Sequence, residues 1–260
     1  MELPIYQVDA FASRIFAGNP AAVCPLEDWL SDATMQAIAA ENNLSETAFF
    51  VKTGDGSFDL RWFTPAVEVD LCGHATLGSA FVIANYLEPT LSEIRFQSRS
   101  GPLTATRDGD VFTLDFPAGR PRRVADDAEL AAALGATPAE LWRDRNAMAV
   151  FATQAEVAAL APDMAALGAL DAGGVIATAP GADCDFVSRY FAPRAGIPED
   201  PVTGSAHCEL APYWAARLDR GRMSARQISA RGGELTVALR GERVLISGRV
   251  APYLQGRILV

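Results

Sequence analysis

The chain states one pattern twice. Arg61-Trp62-Phe63-Thr64-Pro65 leads to Cys72-Gly73-His74-Ala75-Thr76-Leu77-Gly78-Ser79, and 128 positions later Arg189-Tyr190-Phe191-Ala192-Pro193 leads to Asp200-Pro201-Val202-Thr203-Gly204-Ser205. In each copy nine positions carry the chain from the Phe to the Cys or the Asp. A further match sets Arg107-Asp108-Gly109-Asp110-Val111-Phe112-Thr113-Leu114 against Leu239-Arg240-Gly241-Glu242-Arg243-Val244-Leu245-Ile246, and both read as hairpins turning at Gly. A duplicated scaffold confines the fold to two similar halves, expected over 1–118 and 125–260, with the end of the chain free to return to the first. The Pro-, Gly- and Arg-rich stretch from Pro117 to Asp127 suits an exposed connection. Unlike residues at matched positions, Cys72 against Asp200 and Glu46 against Gly173, point to a site to which the copies contribute different groups.

Periodicity fills in each half. Ile5 to Phe11 alternates as a strand does, and Gly18-Asn19-Pro20 reads as a turn into a short apolar run ending at Val23. Met35, Ile38 and Ala39 recur at helical spacing behind a Ser31 cap, with Asn42-Asn43 as the stop. Strands are expected at 47–52 and 58–63 around Gly54-Asp55-Gly56, a helix from the Cys72 loop to about Leu87, and strands near 93–99, 102–107 and 111–116. The second half repeats these landmarks, with a strand at 147–153, a short helix at 154–160, a strand at 175–179 and an Ala-rich helix over 128–140.

Composition decides which partners are reasonable. Twenty-two Lys and Arg against 32 Asp and Glu give a formal charge of −10, a field that repels polyanions, so nucleic acid is not an expected partner. No apolar run approaches the roughly 20 residues of a spanning helix, and no membrane partner is expected. Four scattered cysteines without a CxxC pair or a leading apolar segment fit a reducing cytoplasm.

Both central loops pass from an extended segment through small residues into an apolar helix. That geometry presents free backbone N–H groups and the positive end of a helix dipole, which together bind anions such as carboxylates. If the halves surround a pseudo-twofold axis, the loops at 72–76 and 203–205 face each other across a cleft. Glu46, in Asn43-Leu44-Ser45-Glu46-Thr47-Ala48-Phe49-Phe50, is an acid at the head of an apolar strand and suits proton transfer. His74 lies inside the glycine loop, where it can donate to a substrate oxygen or relay a proton. Cys72 is either the acid/base of an epimerase or a small buried hydrophobe. Cys72, His74, His207 and Cys208 carry metal-type donors, but neighbours such as His207 and Cys208 diverge on a helix, and no metal is expected. Without GxGxxG, GxxxxGK[ST] or GxSxG, neither a nucleotide cofactor nor a serine triad is expected.

Four ordered segments carry a resemblance. Phe16-Ala17-Gly18-Asn19-Pro20-Ala21-Ala22-Val23, Leu44-Ser45-Glu46-Thr47-Ala48-Phe49, Phe63-Thr64-Pro65 with Leu71-Cys72-Gly73-His74-Ala75-Thr76, and Glu199-Asp200-Pro201-Val202-Thr203-Gly204-Ser205-Ala206 resemble the PhzF (phenazine biosynthesis-like) family over nearly the whole chain. The resemblance implies an α+β fold of two tandem pseudo-symmetric domains of diaminopimelate-epimerase type, each a curved mixed sheet around a central helix, in a homodimer. It also implies isomerisation without cofactors or metal at an interdomain cleft, acting on a small carboxylate-bearing, cyclic amino acid-like substrate. Glu46 would be the proton-transferring residue, with His74 and Asp200 beside it. Ser45, Asn19, Gly73, Ala75, Thr76, Thr203, Gly204 and Ser205 would bind the substrate. Two readings stand beside this one: a Cys72-dependent epimerase, racemase or dehydratase, and a carboxylate-binding protein without turnover.

Overall fold

The computed structural model describes residues 1–260. Its alternating first segment is β1 (Glu2–Ala10), which pairs antiparallel with β2 (Asn19–Leu26) on one side. On its other side β1 pairs antiparallel with the last strand of the chain, Val250–Leu259. Accordingly the chain folds as two units, Met1–Phe116 with Leu245–Val260, and Pro117–Val244. No helix is long and apolar enough to cross a membrane.

In the first unit, α1 (Asp32–Asn42) starts where Ser31 Oγ accepts from the Thr34 N–H, and it stops at Asn43 in the left-handed region. The strand β3 (Glu46–Gly54) runs parallel to β2, then turns back through Gly56 into β4 (Ser57–Phe63). After the two-residue β5 (Glu68–Val69) comes α2 (Gly73–Val82), continued by a π-helical turn over Ile83–Leu87. The strands β6 (Glu93–Ser98), β7 (Gly101–Asp108) and β8 (Val111–Pro117) complete a mixed sheet in which β4 and β6 are parallel. The helix α2 is buried almost throughout and touches β1, β2, β3 and β7, so the sheet wraps round it. The opposite face of β1 to β4 is covered by α1, where Met35, Ile38 and Ala39 pack with Leu3, Ile5, Cys24, Phe49 and Phe63. Burial on both faces explains why β2 reads as a continuous apolar run rather than an alternating one.

The second unit comprises β9 (Arg122–Val124), α3 (Ala128–Leu134), β10 (Glu140–Arg143), β11 (Ala147–Val150), α4 (Gln154–Ala159), α5 (Met164–Ala169), β12 (Val175–Pro180) and β13 (Phe186–Phe191). Then follow α6 (Gly204–Leu218), β14 (Arg222–Gln227), β15 (Gly233–Arg240) and β16 (Arg243–Gly248), whose end re-enters the first unit before β17 (Val250–Leu259). Its sheet is also mixed, with β11 parallel to β12 and β13 parallel to β14. The indole of Trp214 on α6 stacks on Phe186 at 5.5 Å and donates from Nε1 to Thr178 Oγ1. Pro212 lies inside α6 and cannot donate to the Cys208 carbonyl four residues back; the Gly119 N–H takes that acceptor at 2.9 Å. The Ala-rich segment is helical only to Leu134, because Gly135 adopts φ +70 as a left-handed cap and the chain becomes β10 by Glu140.

Ladder register sets the true correspondence of the copies. Thr47 opposes Phe63 and Val175 opposes Phe191, so the counterpart of Glu46 is Gly174 rather than Gly173. At the loops the helix caps are Cys72 and Thr203, so relative to the helix Thr203, not Asp200, is the counterpart of Cys72. Three residues, Asp200 to Val202, lengthen the second loop and displace the Asp from the cap.

Candidate active site

The first unit gathers three of the residues singled out by the sequence. Glu46 opens β3, Cys72 caps α2, and His74 lies in its first turn; all three are buried, with 9%, 6% and 5% exposure. Glu46 Oε2 is 3.0 Å from His74 Nε2. Cys72 Sγ lies 3.5 Å from His74 Nδ1 and 3.9 Å from Nε2, facing the ring edge between the two nitrogens. Burial, reinforced by the Glu46 charge, pushes the Cys72 thiol up to about 11, so it is protonated at neutral pH. Burial alone would lower His74, but facing the Cys72 sulfur and the Glu46 carboxylate raises it well above its ordinary value. Since the thiol is neutral below about 11, the Glu46 carboxylate is the neighbour that raises His74 at neutral pH.

The helix itself supplies the anion-binding element. The Thr76 N–H is the first to reach back to the Cys72 carbonyl, at 3.2 Å, and the Thr76 hydroxyl donates to the same oxygen at 2.6 Å. The amides of Gly73, His74 and Ala75 precede the first helical bond, at the positive end of the α2 dipole. Ser45 is half-buried in the turn before Glu46, and Asn19 is fully buried at the head of β2.

Asp200, Thr203, Gly204 and Ser205 belong to the second unit. There the Thr203 hydroxyl donates to Asp200 Oδ2, and the Asp200 N–H donates to the Tyr190 carbonyl at 3.0 Å. Gln227 holds the loop: its Nε2 donates to the Asp200 carbonyl at 2.7 Å, and its Oε1 accepts from the Thr203 N–H at 2.9 Å. Sequence reading passed over Gln227, yet a signal was present. It falls on the inward parity of Arg222–Gln227 with Met223 and Ala225, a polar residue at a core position. His207 donates from Nδ1 to the Thr203 carbonyl and packs on Phe186, repeating the role of Thr76, while Cys208 bonds the Gly204 carbonyl. Neither of these forms the metal-type set weighed from the sequence; the residues that do come together are Glu46, Cys72 and His74.

With this geometry in hand, comparison with known proteins is decisive. Residues 8–256 match the profile of the PhzC/PhzF family, described as phenazine biosynthesis-like proteins. The chain belongs to that family. An uncharacterized isomerase of Pseudomonas aeruginosa is 54% identical over 258 residues, covering 99% of each chain. The crystal structure of a PhzF-family protein from Enterococcus faecalis superposes with a TM-score of 0.98 at 49% identity, covering 100% of both chains. A hydroxyproline epimerase from Agrobacterium vitis, solved with trans-4-hydroxy-L-proline, shares the fold at a TM-score of 0.64 and 13% identity, over 99% of this chain and 92% of that one. Relatives of this chain are named isomerases, and its α+β fold is the one the resemblance implied.

The PhzF-family chain fills the space opposite Glu46 differently in its second copy. A Cβ at Gly174 would come within 2.3 Å of the Tyr190 hydroxyl, so any side chain there requires Tyr190 to move. Tyr190 donates instead to Asn146 Oδ1, and Asn146 Nδ2 donates to Glu209 Oε1 at 2.5 Å. The other carboxyl oxygen of Glu209 is buried without a partner, and burial, with Asp144 adding repulsion, pushes this acid from 4.5 to about 7. A raised acid favours the folded state below its unfolded pKa, and that contribution is lost as pH climbs through the folded one. Stability from this group should therefore fall by about 2–3 kcal/mol between roughly pH 4.5 and pH 7 and then level off. Glu209→Gln, neutral at every pH, should flatten the dependence of Tm on pH between 5.5 and 8 and raise Tm at pH 8 by a few degrees. An unchanged slope would show that Glu209 is ionised in the folded protein throughout.

Proposed function

We propose that this chain is a cofactor-independent isomerase that moves a proton between carbons of a small carboxylate-bearing, cyclic amino acid-like substrate, with Glu46 as the proton carrier. One observation carries the reading. The Glu46 carboxylate is buried at the head of β3, its Oε2 lacks a well-directed hydrogen bond, and it faces the His74 ring with the Cys72 sulfur nearby, beside the N-terminus of α2. An acid so placed can take and return a proton without first breaking strong bonds of its own.

The amides of Gly73 to Ala75 would hold the substrate carboxylate and steady negative charge as the carbon-bound proton leaves. His74, kept cationic by its neighbours, would donate to a substrate oxygen and fix the Glu46 carboxylate. In the second unit Thr203 to Ser205 offer a comparable helix start, with Asp200 and Gln227 shaping the loop. Cys72 supports a second reading, a thiol-dependent epimerase, because Sγ sits 3.5 Å from His74 Nδ1, which can take its proton only when the ring is neutral. Its elevated pKa favours Glu46.

Small cyclic and aliphatic amino acids incubated with the protein in deuterated water, and read by NMR, test the reading. At least one cyclic member should incorporate solvent deuterium at carbon. Saturable binding without exchange across the panel would refute turnover and leave a carboxylate-binding protein.

A further inference from the structure

The side chains that suit proton transfer also form a metal-type donor set. Glu46, Cys72 and His74 each offer one ligand atom, and these atoms lie within 4.8 Å of one another. His74 Nε2 is 3.0 Å from Glu46 Oε2 and 3.9 Å from Cys72 Sγ. A tetrahedral zinc ion, with bonds of about 2.0–2.3 Å, spaces its ligand atoms roughly 3.3–3.6 Å apart, and the two separations bracket that range. The third pair, Glu46 and Cys72, lies within 4.8 Å and would have to close to that range as the ion binds. Glu46 Oε2 is a buried acceptor without a well-directed donor, as an unfilled ligand atom would be.

Charge and chemistry agree. A thiolate and a carboxylate neutralise a divalent cation, which removes most of the cost of burying it. The dipole of α2 opposes a cation at its start, but that effect is about 1 kcal/mol against two full anionic charges. Sulfur and imidazole donors select zinc or cobalt over magnesium and calcium. The second unit has no such set, because the counterparts are Gly174, Thr203 and Ser205.

We propose that Zn2+ binds at Glu46, Cys72 and His74, with three protein ligands and a fourth position open, and that bound zinc blocks proton transfer. On binding, the Cys72 S–H bond and the Nε2–H bond of the cationic His74 ring both break heterolytically, the two electron pairs form the S–Zn and N–Zn bonds, and both protons pass to buffer; nothing is oxidised or reduced. Binding stands on the geometry alone. Inhibition rests on the reading of Glu46 as the proton carrier, since the ion occupies that carboxylate.

The test uses full-length, tag-free, metal-stripped protein titrated with Co2+. One equivalent should produce a thiolate-to-cobalt charge-transfer band and tetrahedral visible bands, both erased by one equivalent of Zn2+. Zinc affinity, measured against a chromogenic chelator, should fall at least roughly tenfold in Cys72→Ser and in Glu46→Gln, and stay unchanged in Cys184→Ser. Circular dichroism and thermal melts confirm that each variant is folded. Absence of the charge-transfer band in the wild type, or its persistence in folded Cys72→Ser, overturns the site. Deuterium exchange should fall in proportion to zinc occupancy and recover with chelator; full exchange at full occupancy overturns the inhibition. A chain that shows the band but exchanges no substrate proton keeps the zinc site and loses the reading of Glu46.

Discussion

Glu46→Gln should lower deuterium incorporation into any accepted substrate by roughly 10²–10⁴-fold, the usual contribution of a positioned acid/base. The substitution is nearly isosteric and leaves an amide beside His74 Nε2, so binding should change little, while loss of the Glu46 charge beside the buried His74 should lower stability at neutral pH by about 1–3 kcal/mol. The loss should therefore appear in turnover rather than in apparent affinity, as expected for a group that acts on the transferring proton. Cys72→Ser is the matched control. If the thiol only fills space at the α2 cap, its hydroxyl replacement keeps the helix start and most of the exchange. The reverse outcome, with Glu46→Gln active and Cys72→Ser inactive, would transfer the acid/base role to Cys72.

The duplicated motifs made the architecture legible, because Arg-aromatic-Phe, the glycine loops and the two late hairpins each mark one landmark of a repeated unit. They could not supply register. The matched nine-residue spacing set Asp200 opposite Cys72, whereas the helix start makes Thr203 the counterpart, since three extra loop residues precede the second helix. Likewise the strand ladders put Gly174 opposite Glu46, a shift of one that only the pairing with Phe191 reveals. Glu46, Cys72 and His74 were all conspicuous in the sequence, but their meeting round one imidazole depends on β3 and α2 being neighbours. Gln227 was hidden for another reason: a single polar residue on a short strand announces itself only once its inward face is known. Nothing in the sequence singles out Glu209; its burial follows only from α6 placing it beside Asn146 and the close-packed Gly119.

Arg189→Ala should produce the largest loss of stability, about 3 kcal/mol, toward the lower end for breaking a mostly buried ion pair. The Arg189 guanidinium donates from Nε and Nη2 to both oxygens of Glu199, at 2.7 and 2.9 Å, and from Nη1 to the Val157 and Leu160 carbonyls at the end of α4. It also lies over the Phe191 ring at 4.9 Å. Truncation would leave Glu199 unpaired, directly before the Asp200 to Thr203 loop, and the Leu160 carbonyl without its donor, while the Val157 carbonyl keeps only the Leu160 N–H. Lysine cannot reproduce the fork, so Arg189→Lys should recover less than half of the loss. Arg61 is the internal comparison, because it makes the same two-pronged contact with Glu68 and lies over Phe63 at 5.2 Å. Yet Glu68 keeps a second partner in Arg99, and the other contacts of Arg61 are the exposed Asp32 and the Trp29 ring at 5.4 Å, so Arg61→Ala should cost only about 1–2 kcal/mol. Urea denaturation of the two variants, followed by tryptophan fluorescence with Trp142 and Trp214 in the second unit and Trp29 and Trp62 in the first, orders them directly. Equal losses would mean that the α4 carbonyls contribute nothing and that Arg189 is held by Glu199 alone.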